Sequence, residues 1–294
     1  MNRTWLVIDC NYLCHRAKHT MKGLAHEGAA TGVVFGFLKE ISYLMDYFQT
    51  KYICFCWDYG KGLRERICSE YKADRKDRDM IEEDVAFEVE FAFQMAKLRE
   101  EYLYKIGFRN VFLKAGYESD DLIASLVFNL PKGDSAIMVT ADQDMYQCIR
   151  PAPNQVTMYS PAKKEVMTFE KFVKEWGIIP GIWAEVKAIA GCTSDNVKGV
   201  RGVGNKTAVK YLRGELKPTT KAFQAIKEQV DEMYKKNIPL VKLPYEGTPV
   251  FKLKKDKPNP DGWLEVMEVL GMESLKEKSP WGRIRRKRDN LLGS

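Results

Sequence analysis

The sequence is poor in the residues that build zinc sites and nucleophilic catalytic triads. It has three histidines, His15, His19 and His26, and all of them precede Gly28. Its seven cysteines include no C-x-x-C pair, and most of them lie inside apolar runs. These patterns predict reduced cysteines in the core and argue against a structural zinc site built from clustered His and Cys.

Long hydrophobic runs are absent as well. No apolar stretch approaches the ~20 residues that a membrane-spanning helix needs. The short apolar stretch at the N-terminus is interrupted by Asp9 and lacks a small-residue cleavage site, so it predicts a strand and not a signal peptide. We therefore expect a cytoplasmic protein without a membrane partner.

Composition and charge place the chain among globular proteins with a highly charged surface. The 294 residues, of which 45% are hydrophobic, are enough for about two domains with a large core. Lysine and arginine number 47 against 40 acids, and the basic residues concentrate around 64–78, 252–257 and 278–288. This separation of basic from acidic residues favours a protein that binds a polyanion and also binds metal ions. A solvated surface segment that binds nothing is the alternative for 278–288.

Short apolar runs alternate with longer helical segments in the first half of the chain. Strands are predicted at 4–8, 52–57, 110–113 and 135–140, a spacing typical of a parallel α/β sheet. The acid-led segment 81–104 contains no Pro or Gly and predicts a long helix. Because the pattern becomes mostly helical from Phe169 onward, we predict an α/β domain over residues 1–160 and a helical domain over 161–294.

Acidic residues recur in short groups, several of them at predicted strand ends. They are Asp9, Asp58, Glu118, Asp120, Asp121, Asp142, Asp144 and Asp195. Ligands of open α/β sheets bind at the carboxyl ends of the strands, so several carboxylates are expected in one cleft, where their repulsion favours a bound cation. Oxygen ligands in this number suit two Mg²⁺ or Mn²⁺ ions that promote phosphodiester hydrolysis. The alternative is that 118–121 and Asp142 only cap helices.

Five segments match a known family in the family's own order. They read VIDCNYLCHRA, CWDYGKGLRERICSEYKADR, YESDDLIASL, VTADQDMYQCI and AGCTSDNVKGVRGVGNKTAVKYL. With these segments the chain resembles the 5' nucleases, which comprise the flap endonucleases of bacteriophages and the N-terminal 5' nuclease domain of bacterial DNA polymerase I. The resemblance implies a PIN-like parallel sheet flanked by helices and a helical arch. It also implies a mostly helical C-terminal domain with a helix-hairpin-helix element at about 186–214 and a basic tail.

The same resemblance implies roles for the eight acids. All of them would bind metal, with Asp9, Asp58, Glu118 and Asp120 nearer a first Mg²⁺ and Asp142, Asp144 and Asp195 nearer a second. Asp9 and Asp142 would also be catalytic, and Mn²⁺ would substitute for Mg²⁺. The chain departs from the family at Cys192, where the family has an aspartate. Because a thiol is a poor ligand for Mg²⁺, we expect an active enzyme that needs more metal or prefers Mn²⁺.

The glycine-rich segment 199–207 is not a P-loop. Asn205 separates Gly204 from Lys206, and the segment follows a predicted helix and not a strand. By resemblance it forms the hairpin of the helix-hairpin-helix and binds the backbone of duplex DNA, with K⁺ on its carbonyls. The contacting residues would be Gly199, Gly202, Gly204, Lys206 and Thr207, because exposed N–H groups and a helix N-terminus suit a phosphate. A plain helix-helix turn is the alternative.

Basic residues precede the long predicted helix and by resemblance form the base of an arch over the active site. Lys72 would stabilise charge on the scissile phosphate, Arg75 would hold a phosphate, and Tyr71 would stack on an unpaired base. Lys72 and Arg75 are therefore predicted as catalytic, and Arg16 matches a phosphate-binding arginine of the family. The alternatives are a solvated helix face with a buried tyrosine and, for Arg16, a surface salt bridge.

These features predict a structure-selective, metal-dependent 5' nuclease acting in DNA replication or repair in a bacterial or phage-infected cell. The expected substrates are DNA flaps, nicks and 5' ends, and RNA primers paired to DNA. We expect a monomer that has replication proteins as further partners. Two alternatives stay open: a DNA-junction-binding protein of the same fold with little activity, motivated by Cys192, and an RNA-processing nuclease, because phosphate contacts alone do not separate DNA from RNA.

Overall fold

The computed structural model of the chain describes residues 2–60, 62–73 and 82–282. The predicted phosphate ligand Arg75 and most of the basic tail lie outside these residues. The chain divides into two compact units, one comprising Met1–Leu13, Tyr52–Ile81 and Phe112–Leu253 and the other Cys14–Lys51, Glu82–Val111 and Lys254–Ser294. The predicted domain boundary at residue 160 stays a prediction.

Six of the described strands form one sheet. In chain order the strands are β1 (Thr4–Asp9), β2 (Ala25–His26), β3 (Ala29–Ala30), β4 (Tyr52–Trp57), β5 (Val111–Leu113), β6 (Ser135–Val139), β7 (Val156–Ser160), β8 (Glu165–Met167), β9 (Gly191–Cys192) and β10 (Val197–Lys198). The sheet order is β5-β4-β1-β6-β7-β8. β1 pairs in parallel with β4 and β6, β6 pairs in parallel with β7, and β8 returns antiparallel to β7. The predicted α/β class and the four predicted strands are confirmed.

The central strands are buried on both faces. In β1 the residues from Trp5 to Asp9 are all buried, and β4 is buried from Ile53 to its end. Such continuous apolar runs are typical of a parallel sheet that is covered on both sides. α6 (Ser119–Phe128) packs against β1, β4 and β6 within the first unit. All seven cysteines are free thiols and six are buried, as the sequence predicts.

The described helices follow the predicted order. They are α1 (Cys10–Thr20), α2 (Gly32–Tyr47), α3 (Arg64–Ile67), α4 (Glu82–Lys97), α5 (Leu103–Ile106), α6, α7 (Phe169–Trp176), α8 (Trp183–Ala190), α9 (Asn205–Leu212), α10 (Lys221–Val241) and α11 (Pro260–Val269). The long helix predicted over 81–104 is confirmed from Glu82, because a π-helical turn at Leu98–Tyr102 joins α4 to α5. None of the helices in the described ranges is both long enough and apolar enough to cross a membrane.

Local signals set the ends of the helices in the second half. The Thr168 side chain accepts a hydrogen bond from Lys171 N at the start of α7, and Gly177 ends that helix with φ +69°. Thr220 caps α10 in the same way through Phe223 N. α8 packs against both α9 and α10, and the antiparallel pair β9 and β10 lies between α8 and α9 in the chain. This helix, hairpin and helix sequence agrees with the expected helix-hairpin-helix element.

Candidate active site

The carboxyl ends of the three central strands carry acidic residues. Asp9 is the last residue of β1, Asp58 directly follows β4, and Asp142 follows β6 by a few residues. Because these strands are parallel neighbours, their carboxyl ends meet at one edge of the sheet. The N-terminus of α6 brings Glu118 and Asp120 to the same edge, and all five acids belong to the first compact unit.

Asp9 lies at the centre of this edge and is held by hydrogen bonds on both oxygens. Its Oδ1 accepts from Tyr12 N at 3.1 Å and from the Ser119 hydroxyl at 3.4 Å, and its Oδ2 accepts from Thr140 Oγ1 at 2.9 Å. The same Thr140 hydroxyl accepts from Asp142 N at 3.2 Å. Thr140, which is fully buried, therefore ties the strand-end loop of β6 to the carboxylate of β1.

Ser119 links the Asp9 carboxylate of β1 to Asp58, which follows β4. Its N–H donates to Asp58 Oδ1 at 2.6 Å, while its hydroxyl donates to Asp9. The Asp58 N–H in turn donates to Asn11 Oδ1 at 3.1 Å. Three strand ends and the start of α6 are thus fixed to one another through hydroxyl and amide bridges.

Burial and the crowding of negative charge together favour the protonated forms of Asp9 and Asp120. Burial, together with the charges of Asp58 and Asp142, raises the pKa of Asp9 to about 7. Burial also raises the pKa of Asp120, with added repulsion from Asp142, Asp9 and Asp58. Asp120 Oδ1 is buried and accepts no hydrogen bond from the described residues. A buried oxygen without a donor among repelling carboxylates is well suited to a divalent cation, which would satisfy the oxygen and offset the repulsion.

A second group of ligand atoms lies next to Asp142 in the chain. Asp142 Oδ1 accepts from Asp144 N at 2.8 Å. One ligand atom each from Asp144, Cys192 and Asp195 lies within 4.8 Å of the other two. Burial and the charge of Asp142 raise the pKa of Asp144 to about 6 against the opposing effect of Lys187, whose Nζ is 2.8 Å from Asp144 Oδ1. This group includes a thiol, whereas the candidate ligands around Asp9 are all carboxylates.

The Asp121 carboxylate is fully hydrogen-bonded by Arg64 and two backbone N–H groups. Both of its oxygens face the buried Arg64 guanidinium at 2.7 and 2.8 Å, and they also accept from Glu118 N and Tyr245 N at 3.2 and 2.7 Å. A carboxylate has about four lone-pair sites, and these four hydrogen bonds occupy them. The observed contacts therefore favour a role in holding α6 and its neighbours, and a metal-binding role for Asp121 stays a prediction.

Lys72 and Tyr71 both contact Glu118. Lys72 Nζ lies 2.7 Å from Glu118 Oε1 and 4.0 Å from Asp195 Oδ1, and the Tyr71 hydroxyl donates to Glu118 Oε2 at 3.1 Å. Burial alone would lower the pKa of Lys72, but the charges of Glu118 and Asp195 raise it overall. Tyr71 is only 4% exposed, which corresponds to the alternative of a buried tyrosine. Stacking of Tyr71 on a base stays a prediction.

The turn that carries Lys72 is attached to the hairpin between β9 and β10. Lys72 has φ +54°, an uncommon conformation for a residue with a side chain. Its N–H donates to the Asp195 carbonyl at 2.9 Å, and Asn196 Nδ2 donates to the Glu70 carbonyl at 2.9 Å. These backbone bonds hold the Lys72 ammonium between carboxylates that come from α6 and from the hairpin.

The described contacts do not test the phosphate binding predicted for Arg75 and Arg16. Arg75 lies outside the described residues. Arg16, on α1, forms an ion pair with Glu40 at 3.4 Å, which is the alternative that the sequence left open for it. Phosphate binding by either arginine stays a prediction.

The predicted DNA-binding hairpin has the backbone features that its glycines suggest. A Cβ on Gly199 would lie 2.2 Å from the Ala190 carbonyl carbon, so the hairpin packs against the end of α8 only with glycine there. Gly202 has φ +78°, a conformation that favours glycine. Gly204 is the N-cap of α9, and Lys206 and Thr207 lie in its first turn. Lys206 is exposed.

Several residues of the site have no role predicted from the sequence. They are Asn11, Arg64, Ser119, Thr140 and Lys187. Ser119 lies between Glu118 and Asp120, and Thr140 precedes Asp142 by two positions, so a hydroxyl near a predicted acid is a usable signal. The partners of Arg64 and Lys187 are 57 and 43 positions away, since Arg64 pairs with Asp121 and Lys187 with Asp144, so only the fold reveals them.

The fold and the strand-end carboxylates together define a nuclease-type site on a PIN-like sheet. Residues 4–177 match the family described as 5'-3' exonuclease, N-terminal resolvase-like domain. A 5'-3' exonuclease of Bacillus subtilis (strain 168) is 32% identical over 219 residues, which cover 72% of this chain and 70% of that protein. The chain therefore belongs to the 5'-3' exonuclease family and is a nuclease.

More distant comparisons agree with this family. The thermostable DNA polymerase I of Thermus thermophilus is 29% identical over 92% of this chain, which spans 31% of the polymerase. The bacteriophage T5 D15 protein crystallised with metal ions has a TM-score of 0.68 at 22% identity, covering 82% of this chain and 90% of that one. The catalytic core of Rad2 in complex with DNA substrate has a TM-score of 0.54 at 15% identity, covering 95% of this chain and 92% of that one. These two structures share the fold.

Proposed function

We propose that the chain is a structure-selective, divalent-metal-dependent 5' nuclease that acts on DNA flaps, nicks and 5' ends. The observation that carries the proposal is the strand-end cluster of carboxylates, in which burial and repulsion raise the pKa of Asp9 to about 7 and leave Asp120 Oδ1 without a donor among the described residues. Such a cluster destabilises the fold unless a cation offsets it, which is the expectation for a site selected for metal-assisted chemistry.

The proposed metal ligands are the acids that are not saturated by other contacts. For the first ion these are Asp9, Asp58, Glu118 and Asp120, and Asp142, whose charge acts on both Asp120 and Asp144, is proposed nearer the second. Oxygen-only ligands favour Mg²⁺, with Mn²⁺ as a substitute. A divalent cation bound there would lower the pKa of a water molecule and neutralise charge on the scissile phosphate. Asp121 is left out of the proposed set because Arg64 and two backbone N–H groups already use its oxygens.

The chain's own residues would orient the phosphate. Lys72 is fixed by its backbone bond to Asp195 and by its ion pair with Glu118, so its ammonium is placed before substrate arrives. Preorganised positive charge of this kind stabilises the charge that develops in phosphodiester hydrolysis. Tyr71 orients the Glu118 carboxylate from the other side. We further propose that Arg75 contributes a phosphate contact.

Duplex DNA is proposed to bind along the hairpin 199–204 and the start of α9. Gly202 and Gly204 leave open space where side chains would otherwise stand, and the helix N-terminus with the exposed Lys206 suits a backbone phosphate. K⁺ on the hairpin carbonyls, RNA primers paired to DNA as further substrates, and replication proteins as partners are proposed on the family resemblance. Bacteriophage T5 D15 flap endonuclease has been crystallised with DNA and metal ions.

A second candidate function is that of a junction-binding protein with weak cleavage. The observation that favours it is the ion pair between Lys187 and Asp144 beside Cys192, since a thiol stands among the ligand atoms of the second group and an ammonium already neutralises one of its carboxylates. The two candidates share the DNA-binding surface and differ in turnover.

Cleavage of a 5'-labelled flap substrate distinguishes the candidates. We expect cutting near the junction of single and double strand in Mg²⁺, none in chelator, and less on a matched blunt duplex. The products should carry 5'-phosphates. Tight flap binding without cutting at any Mg²⁺ or Mn²⁺ concentration would favour the junction-binding protein, and equal cutting of both substrates would contradict structure selectivity.

The duplex-binding proposal predicts the effect of Lys206→Ala. We expect weaker binding to duplex DNA of any sequence. The slope of log K against log salt concentration should be smaller by about one, because one phosphate contact is lost. Binding in chelator across a range of salt concentrations measures both. Lys132→Ala is the matched control, since Lys132 is an exposed lysine before the amino end of β6, opposite the carboxyl ends. An unchanged salt slope in the Lys206 variant would remove this residue from the interface.

A further inference from the structure

The second group of ligand atoms has a different chemical character from the first. In the cluster around Asp9 every candidate ligand is a carboxylate, whereas Asp144, Cys192 and Asp195 combine two carboxylates with a thiol. One ligand atom from each lies within 4.8 Å of the other two, which is close enough for a single cation to contact all three.

The backbone fixes the position of Cys192. It pairs with Val197 in the antiparallel ladder of β9 and β10, and it is 8% exposed. Its Sγ lies 3.1 Å from Ser194 Oγ and 3.6 Å from Asp195 Oδ2. The thiol therefore points to the same side as the Asp195 carboxylate, and it is held there by the hairpin and not by the conformation of a flexible loop.

Mg²⁺ does not fit this group. It demands near-octahedral oxygen coordination and is a poor partner for sulfur. The buried Lys187 ammonium lies 2.8 Å from Asp144 Oδ1. A weakly bound Mg²⁺ would have to compete with this ammonium for the Asp144 carboxylate. Thiolate ligands instead select borderline and soft cations, and Zn²⁺ and Co²⁺ bind mixed sulfur and oxygen ligands readily.

We propose that Asp144, Cys192 and Asp195 form a site for a thiophilic divalent cation of the Zn²⁺ and Co²⁺ class, which takes the place of a second Mg²⁺. This inference rests on the proposed function in so far as the cation would serve the same nuclease site. Binding requires the thiol to lose its proton to solvent and requires Lys187 to withdraw from Asp144. The result is a mixed-metal site, with a hard cation on the carboxylates around Asp9 and a softer one on the thiolate.

Cobalt titration tests the proposal directly, because a thiolate bound to Co²⁺ gives a charge-transfer absorption band in the near ultraviolet that carboxylates do not give. We expect the metal-free protein to develop this band to a stoichiometry of one Co²⁺ per chain. Excess Zn²⁺ should abolish the band, whereas a large excess of Mg²⁺ should leave it intact. Absence of the band in the wild-type protein would overturn the proposal, as would its loss on addition of Mg²⁺.

Two cysteine variants provide matched controls. Cys192→Ser should lose the band, and Cys68→Ser, at the one cysteine that is not buried, should keep it. Persistence of the band in Cys192→Ser would overturn the proposal. Cys192→Asp, which introduces an oxygen ligand at the same hairpin position, should also lose the band and should bind Mg²⁺ more tightly in competition with Zn²⁺. This variant keeps the test decisive if the serine variant is unstable.

Flap cleavage by the same preparations separates this inference from the proposed function. Cleavage in Mg²⁺ without a cobalt-thiolate band would leave the nuclease assignment standing and refute the thiophilic site. A band at Cys192 without cleavage under any metal condition would support the site and refute the nuclease assignment.

Discussion

Asp142→Asn is expected to reduce cleavage of a 5' flap substrate at least ~10³-fold, equivalent to about 4 kcal/mol in the activation barrier. Asp142 lies at the carboxyl end of β6, its charge raises the pKa of Asp120 more than any other neighbour does, and its side chain is exposed. Replacement by asparagine removes that charge while retaining an oxygen that can accept from Asp144 N, so the short helical turn Gln143–Cys148 keeps its N-cap. The loss therefore belongs to the chemistry and not to folding.

Binding measurements distinguish this explanation from a loss of DNA affinity. In chelator, the Asp142→Asn variant should bind the flap at least as tightly as wild type, because removal of a negative charge reduces repulsion of phosphate. Asp231→Asn is the matched control, since Asp231 is an exposed acid on α10, and it should cut at the wild-type rate. Normal turnover by the Asp142 variant would refute the assignment of the catalytic site.

The sequence predicts the scaffold of this site well because two strong local signals coincide. Continuous apolar runs mark β1 and β4 as strands buried on both faces, and an aspartate ends or directly follows each of them. In a parallel sheet those two facts alone place Asp9 and Asp58 at one edge. The order of the matching segments then identifies the family, which the comparison over residues 4–177 confirms.

Sequence reasoning is less informative about which acids are saturated by other contacts. Asp120 and Asp121 are adjacent and chemically identical, and yet one has a buried oxygen without a donor among the described residues while the other accepts four hydrogen bonds. On a helix, neighbouring residues point about 100° apart, so adjacent acids face different surroundings. What those surroundings contain depends on segments around Arg64 and Tyr245, far away in sequence.

The surroundings of Tyr71 and Lys72 also depend on segments that are far away in sequence. The basic segment around them predicts a surface that meets DNA, but the structure buries the Tyr71 ring against Cys192, Val197 and Leu240. Lys72 adopts a left-handed conformation that no propensity for lysine would predict. Both features follow from long-range docking of this turn onto the hairpin, which a local pattern cannot encode.

Arg64 shows most clearly how a residue of a basic segment can be structural. It is 2% exposed, and its guanidinium makes two hydrogen bonds to Asp121 and donates to the carbonyls of Leu240 and Lys242 at 2.8 and 3.3 Å. Burial alone would lower the pKa of Arg64, but the hydrogen bonds and charge of Asp121 raise it overall. One side chain thus joins α3, α6 and the C-terminal end of α10.

Arg64→Ala is therefore expected to destabilise the protein by about 3–5 kcal/mol, because it leaves the fully buried Asp121 carboxylate without its cation. Arg64→Lys should recover little of this, since an ammonium cannot reproduce the planar, two-pronged contact with the carboxylate. Urea unfolding measures the change, with Arg66→Ala, an exposed arginine on the same short helix, expected to stay within about 0.5 kcal/mol of wild type. Equal effects of the two alanine variants would mean that the buried ion pair contributes nothing beyond a surface arginine. A large effect confined to Arg64 would instead show that its buried ion pair with Asp121 stabilises the fold around α3, the helix that precedes the turn carrying Lys72.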